Sequence, residues 1–233
     1  MTSPVEKAMQ RNVTLTLYQT QDTELPLYPS AVDIVMRDVN TDALLGFMRL
    51  SRLCVEQDGA FYTVSSVASA RGRQGLGYRL YLTAMAFVSQ KGGYLSPDQS
   101  CVRGESISIW ETMAKISEVT HRSLPVTVMT MEHFRDAELE ELRVTNPVLT
   151  DADIDEMFES AEESLVEQMY TGTLTPHYLN CAYRLNRAFW DDILQSVQIE
   201  MTPPNEEEEQ AMLKMWEVVY CNDEVWAEID DVA

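Results

Sequence analysis

Ala70-Arg71-Gly72-Arg73-Gln74-Gly75-Leu76-Gly77-Tyr78-Arg79-Leu80-Tyr81 holds three of the chain's nine glycines within six residues. The run before it, Phe61 to Ala68, alternates like a strand. The run after it carries Leu80, Tyr81, Ala84, Met85, Phe87 and Val88 at helical spacing. A glycine-rich strand-to-helix junction lets backbone approach a ligand closely, and its N–H groups together with the helix dipole suit a phosphate. The amides of Gln74 to Tyr78 are the expected cradle; the alternative is a purely structural turn. A dinucleotide-binding loop fits less well, because its Gly-x-Gly-x-x-Gly order is reversed here and the preceding text reads as antiparallel.

Upstream, Asn12 to Thr20 alternates with Val13, Leu15 and Leu17 on one face, a strand pattern. Ala31 to Asp38 is a second strand. The turn cluster Asn40-Thr41-Asp42 leads into a third, Ala43 to Leu53, and Asp58-Gly59 is a hairpin turn into Phe61 to Ala68. The front of the chain is thus an antiparallel meander. Downstream, Gly92-Gly93 stops the first helix and Tyr94-Leu95-Ser96 is a short strand. A second helix is expected from about Ser106 to Ile116, with Ser108 and Glu111 at capping-box spacing and Ile109, Met113 and Ile116 facing inward. Ser123 to Met129 is a further strand candidate.

Beyond Glu132 the text becomes acidic and helical, breaks at Asn146-Pro147 and restarts at Thr150-Asp151 with the look of an N-cap. Its apolar positions, among them Leu139, Leu142, Ile154 and Phe158, fit an amphipathic insert. Tyr178 to Leu185 returns to alternation and reads as a strand. Arg187 to Val197 reads as a helix, and Glu206 to Tyr220 as a last acidic helix after the break at Thr202-Pro203-Pro204.

The net charge of −21 over 233 residues is unevenly placed. Residues 1–130 hold 12 acidic and 12 basic side chains, whereas 131–170 hold 13 and 2, and 200–233 hold 11 and 1. Phosphate would be repelled by the two acidic segments, which disfavours nucleic acid as a partner. A basic protein or plain solubility is the fitting reading of 131–170 and 200–233. The junction itself is locally basic, with Arg71, Arg73 and Arg79. The four cysteines and three histidines show no paired spacing, so free thiols and no metal site are expected. With 45% hydrophobic residues, no run of membrane-spanning length and no signal-peptide order at the N-terminus, a globular cytoplasmic protein without membrane contact is expected.

The order of these elements resembles the GNAT acyltransferase fold, and Tyr94-Leu95-Ser96-Pro97-Asp98 with Ser106-Ile107-Ser108-Ile109-Trp110-Glu111 resembles phage-encoded members. Members bind the pyrophosphate of acetyl-CoA through a loop of form Gln/Arg-x-x-Gly-x-Gly/Ala between the fourth strand and the next helix. Gly75 and Gly77 match the small positions; Gly72 stands at the Gln/Arg position, and Arg71 is displaced by one. The resemblance spans residues 12–130, and reaches Tyr178 to Leu185 if the acidic segment is an insert. It implies an α/β class with a mixed, mostly antiparallel central sheet and flanking helices. The domain would cover 1–186, with the acidic helical insert at about 131–170 and an acidic helical extension at 187–233.

As function, the resemblance implies transfer of acetyl from acetyl-CoA to an amine. Arg71, Arg73, Gln74, Gly75, Leu76, Gly77 and Tyr78 would hold the cofactor phosphates, and backbone at Val67 and Ala68 its pantetheine arm. Asp98, Ser96 and Glu105, near the expected splay of the central strands, are the catalytic candidates, with turn or cap chemistry as the alternative. Tyr62 and Tyr94 could line the acceptor site or simply pack. Three departures bear on chemistry. The stretch between the first strand and Ala31 is too short for the two helices that usually cover the acceptor. The fourth strand reads Tyr62-Thr63-Val64-Ser65-Ser66 where many members carry a glutamate base, the nearest carboxylates being Glu56 and Asp58. Trp110 stands where a tyrosine often acts as acid, and it has no proton to give. A phage-type protein that keeps the scaffold and docks its acidic segments on a host protein, in the host cytoplasm, is the second expectation.

Overall fold

Alternating burial along the first strand sets the sheet: Leu15 and Leu17 are buried and their neighbours are not. The computed structural model describes residues 13–70, 75–97, 105–124, 150, 153 and 177–220. Strands β1 (Val13–Thr20), β2 (Ala31–Asp38), β3 (Leu44–Glu56) and β4 (Gly59–Ser69) form the antiparallel meander. Helix α1 (Leu76–Gln90) returns the chain to β5 (Tyr94–Ser96), which lies parallel to β4. Then come α2 (Glu105–Met113), β6 (Val119–Ser123), a 3-10 turn at His177–Asn180 and β7 (Cys181–Leu185). A second 3-10 turn, Arg187–Phe189, leads into α3 (Trp190–Leu194), β8 (Val197–Glu200) and α4 (Glu206–Tyr220). The result is a mixed α/β fold whose eight-stranded, mostly antiparallel sheet runs β6-β7-β5-β4-β3-β2-β1-β8. No helix among the described residues is long and apolar enough to cross a membrane.

The main core lies between one face of the sheet and α1. Leu15, Leu17, Ile34, Met48, Tyr62 and Val64 from the strands meet Leu80, Ala84, Met85 and Phe87 from the helix. The apolar stripe of α1 suggests a helix with one buried face, but Leu82, Thr83, Ala86 and Ser89 are buried as well, because α3 and β7 enclose it. Two of its buried hydroxyls are paired internally. The Thr83 hydroxyl donates to the Arg79 carbonyl at 2.9 Å, and Ser89 Oγ accepts from the Leu185 amide at 2.9 Å. Gly92, at φ 81, ends the helix in the left-handed conformation, and the Gly93 amide donates back to the Val88 carbonyl.

Several boundaries differ from those expected from sequence. The second helix is already formed at Ser108, whose carbonyl accepts the Thr112 hydroxyl, so Ser108 is interior and not an N-cap; the helix ends at Met113, short of Ile116. Val119–Ser123 forms a strand paired with β7; of the strand expected at Ser123–Met129, 125–129 lie outside the described residues. The strand expected from Tyr178 begins at Cys181, after a 3-10 turn. Most consequential, Arg187–Val197 is not one helix. It breaks after Leu194 and feeds β8, which pairs parallel to β1 from Leu15↔Val197 to Tyr18↔Glu200. The segment expected as an appended extension thus supplies the sheet's eighth strand. Of the acidic insert only Thr150 and Asp153 are described; they exchange reciprocal side-chain to backbone bonds, as at a helix start.

Helix α4 crosses the opposite face of the sheet. Asn205 caps it, accepting the Glu208 amide at 2.9 Å. Met212, Met215 and Trp216 pack on Val35, Phe47 and Ala68. Glu208 pairs with Arg37 at 2.8 Å, and Glu209 pairs with Arg49, which also binds the buried Asp33 at 2.6 Å. Burial raises the Asp33 pKa, and Arg49 opposes that rise. Two of the four glutamates are therefore turned to the sheet, leaving Glu206 and Glu207 exposed. Partly exposed pairs contribute little each, so Glu208→Gln with Glu209→Gln is expected to cost about 1 kcal/mol in total. Urea unfolding at low salt should show the loss, and the gap from the parent should shrink at 1 M salt, on the order of a 3 Å screening length.

Candidate functional site

The junction sits where β4 ends. The Ala70 amide donates to the Leu45 carbonyl at 2.8 Å, fixing the strand end. Arg71, Gly72, Arg73 and Gln74 lie outside the described residues. Gly75 is the N-cap of α1 at φ 87, ψ −1, a left-handed conformation that costs an L-residue about 1 kcal/mol or more. The Arg79 amide donates to the Gly75 carbonyl at 3.1 Å. Helical geometry gives the amides of Leu76, Gly77 and Tyr78 no acceptor inside the helix. Gly75 has no side chain to cap this turn, and no acidic residue lies in the first turn of α1. Three amides and the positive end of a fifteen-residue helix therefore converge where an anion would bind.

Gly77 fixes how much room remains. A Cβ there would stand 3.5 Å from Ile109 Cδ1 on α2 and 4.0 Å from Ser69 Oγ on β4. A methyl group fits in ordinary contact; a larger side chain fills the gap between α1, α2 and the end of β4.

Strands β4 and β5 part before β4 reaches this junction. They pair only at Phe61↔Tyr94, Tyr62↔Leu95 and Thr63↔Ser96, after which β5 stops and β4 runs on to Ser69. Ser96 is fully buried, and its Oγ donates to the Tyr62 carbonyl at 3.1 Å, securing the paired end. Val67 packs toward the α1 core, and Ala68, 3% exposed, faces Met212 of α4. Asp98 lies outside the described residues, and Glu105 is the first residue of α2. The structure thus groups Val67, Ala68, Gly75, Leu76, Gly77 and Tyr78 around one strand end, with Ser96 at the fork.

The aromatic candidates are committed to packing. The Tyr62 hydroxyl is buried, with its pKa raised by desolvation, and donates to the Pro29 carbonyl at 2.9 Å. Tyr94 stacks on Phe61 at 5.2 Å and lies against the guanidinium groups of Arg184, at 4.0 Å, and Arg122, at 4.4 Å. Arg122 also pairs with Asp58, holding that carboxylate below its ordinary range. Trp110 is 1% exposed, edge-on to Tyr81 and tilted against Tyr183.

Tyr78, a candidate for holding the cofactor phosphates, has its hydroxyl buried without a partner among the described residues, its pKa pushed up to about 12 by burial and then by Glu118. Arg79, counted from sequence among the basic residues of the junction, is instead 3% exposed and turned toward Ser196. Helical spacing already placed Arg79 beside core positions Leu80 and Thr83, which was the available signal. Between β1 and β2 the chain forms a loop, with Arg52 bonded to Asp22 and to the Tyr28 carbonyl. In the C-terminal segment α3 packs on α1 and β8 pairs with β1.

Cys54, on β3, has its thiol pKa raised to about 11 by burial and by Glu56. Its thiolate fraction at pH 8 is on the order of a thousandth. Site-resolved alkylation should accordingly leave Cys54 unmodified at pH 8 and label it only as pH approaches 11; ready labelling at pH 8 would contradict its burial.

No family model matches this chain, and no curated protein matches it.

Proposed function

We propose that this chain is a GNAT-like N-acyltransferase that binds acetyl-CoA at the β4–α1 junction and transfers acetyl to an amine. The observation that carries the reading is the glycine-led N-terminus of α1 at the end of β4, a strand that parts from β5 after Thr63↔Ser96. The residues present fit such a cofactor. The amides of Leu76, Gly77 and Tyr78 offer donors to its phosphates, Gly75 and Gly77 keep side chains out of the way, and Arg71, Arg73 and Gln74 complete the loop in sequence. Val67 and Ala68 border the fork, on the strand along which the pantetheine arm would run.

Acetyl-CoA, when bound, supplies the acyl group as a thioester. The chain's part is to orient it against an amine, and positioning alone supplies much of a transfer rate. The fourth strand offers no carboxylate at Tyr62 to Ser66, and Trp110 has no proton to give. The acyl acceptor is correspondingly an amine with a low enough pKa to be neutral at working pH, or one deprotonated by water.

That same lack of base and acid favours a second reading, a phage-type protein that keeps the scaffold and binds a basic host protein. Its contacts would use 131–170 and the outward side of 200–233, since Glu208 and Glu209 are turned inward. Calorimetry with acetyl-CoA, followed by thiol release with a panel of amines and basic proteins, separates the two. Micromolar binding with turnover supports the enzyme. Binding without turnover, with one basic protein co-purifying, supports the second, and no binding sinks the cofactor assignment.

A further inference from the structure

Arg79 leaves the first turns of α1 on the flank away from Gly77. Two residues along a helix is a rotation of about 200°. Gly77 faces Ile109 of α2, whereas the Arg79 guanidinium reaches Ser196, with Nη2 donating to Ser196 Oγ at 2.9 Å. Its Nε and Nη1 are buried and find no acceptor among the described residues. Desolvation lowers the Arg79 pKa, and no carboxylate among the described residues offsets that. An arginine keeps its proton at neutral pH, so this is an uncompensated buried charge, the costliest kind of buried group. A methionine would fill the same space without that cost.

The strand registers place this group at the same end of the sheet as the junction. Val13↔Asp38, Arg37↔Leu44 and Gly46↔Ser69 bring the start of β1 and the end of β4 to one edge, and Leu15↔Val197 brings the start of β8 there. Gln195 and Ser196, which join α3 to β8, are both exposed. The guanidinium is thus buried behind a two-residue turn whose serine hydroxyl is its one described partner and faces solvent.

We propose that Arg79 and Ser196 form a binding site for an oxyanion, a carboxylate or a phosphate ester, on the α3 side of α1 and separate from the amides at Gly77. One guanidinium matches one negative charge, its Nε and Nη1 supply donors, and the Ser196 hydroxyl turns the guanidinium and can donate in its place. The site is independent of the acyltransferase reading.

Calorimetry on the full chain, with sodium phosphate and sodium acetate titrated against chloride of equal ionic strength, tests this. Saturable binding of at least one of the two is expected, with a rise in melting temperature that chloride does not give. The two anions distinguish a phosphate ligand from a carboxylate ligand by which binds more tightly. With the junction amides blocked by Gly77→Trp, Arg79→Met should abolish the effect, and Arg79→Met alone should melt in chloride no lower than the parent. Ser196→Ala, at an exposed position, should fold normally and, in the Gly77→Trp background, weaken binding about tenfold, the share of one hydrogen bond to a charged group. The proposal is overturned if neither anion binds beyond chloride in Gly77→Trp, or if that binding survives the addition of Arg79→Met. Should Arg79→Met not fold, an unaltered affinity on adding Ser196→Ala to Gly77→Trp overturns it alone.

Discussion

Trp110→Ala is expected to lower the free energy of unfolding by about 3–5 kcal/mol, the range for deleting a large aromatic from a packed core. Trp110 is 1% exposed, with Tyr81 edge-on at 5.1 Å and Tyr183 at 5.0 Å. Truncation removes the apolar burial and both ring contacts, and it leaves a void between α1, α2 and β7 that three rigid elements cannot close. Helix α2 spans only nine residues and depends on this anchor and Met113 for its position. Trp110→Phe keeps a ring in the site and should lose distinctly less. Urea titration followed by far-ultraviolet dichroism measures both. A loss below about 1 kcal/mol for the alanine variant would place Trp110 outside the core. The same residue was expected from sequence to stand where a proton donor often sits; its burial among rings gives it a structural role.

Gly77 should separate binding from folding. Gly77→Ala adds a Cβ in ordinary contact with Ile109 and Ser69, and alanine favours the helix by up to about 1 kcal/mol over glycine. This variant should melt at or slightly above the parent and keep its affinity for acetyl-CoA. Gly77→Trp fills the space between α2 and the end of β4 from the first turn of α1. It should weaken acetyl-CoA binding roughly a hundredfold, equivalent to losing one or two hydrogen bonds to a charged group at about 1.5–3 kcal/mol each. Calorimetry on both variants, with melting curves to show that each is folded, makes the comparison. Equal affinity in parent and tryptophan variant would remove the first turn of α1 from the cofactor site.

Both variants bear on how far local text reaches. The meander, α1 and β5 were legible because each rests on short-range physics: alternation for β1 to β4, the Asp58-Gly59 turn, helical spacing after Gly77 and the Gly92-Gly93 stop. Gly75 and Gly77 were legible for the same reason, since a left-handed N-cap and a close helix approach both require a residue without a side chain. Ser108 misled because a serine with an acid three residues on is a cap only when the chain before it is not helical, and here α2 is already formed. At Arg187–Val197, helical composition lost to a longer-range gain: β8 covers the edge of β1 and pairs backbone groups that the expected helix would have left exposed.

The sequence by itself determined the order of the elements from β1 to α2, the glycine junction between β4 and α1, and the uneven placement of acidic charge, because local propensity, turn chemistry and composition are properties of neighbouring residues. Only the tertiary structure decided what those features face. It put β8 beside β1, parted β4 from β5 at Ser96, turned Glu208 and Glu209 inward onto Arg37 and Arg49, and buried Arg79 behind Ser196. Those outcomes join residues separated by more than thirty positions, and in each the deciding energy is packing or charge pairing between elements, which no local window contains.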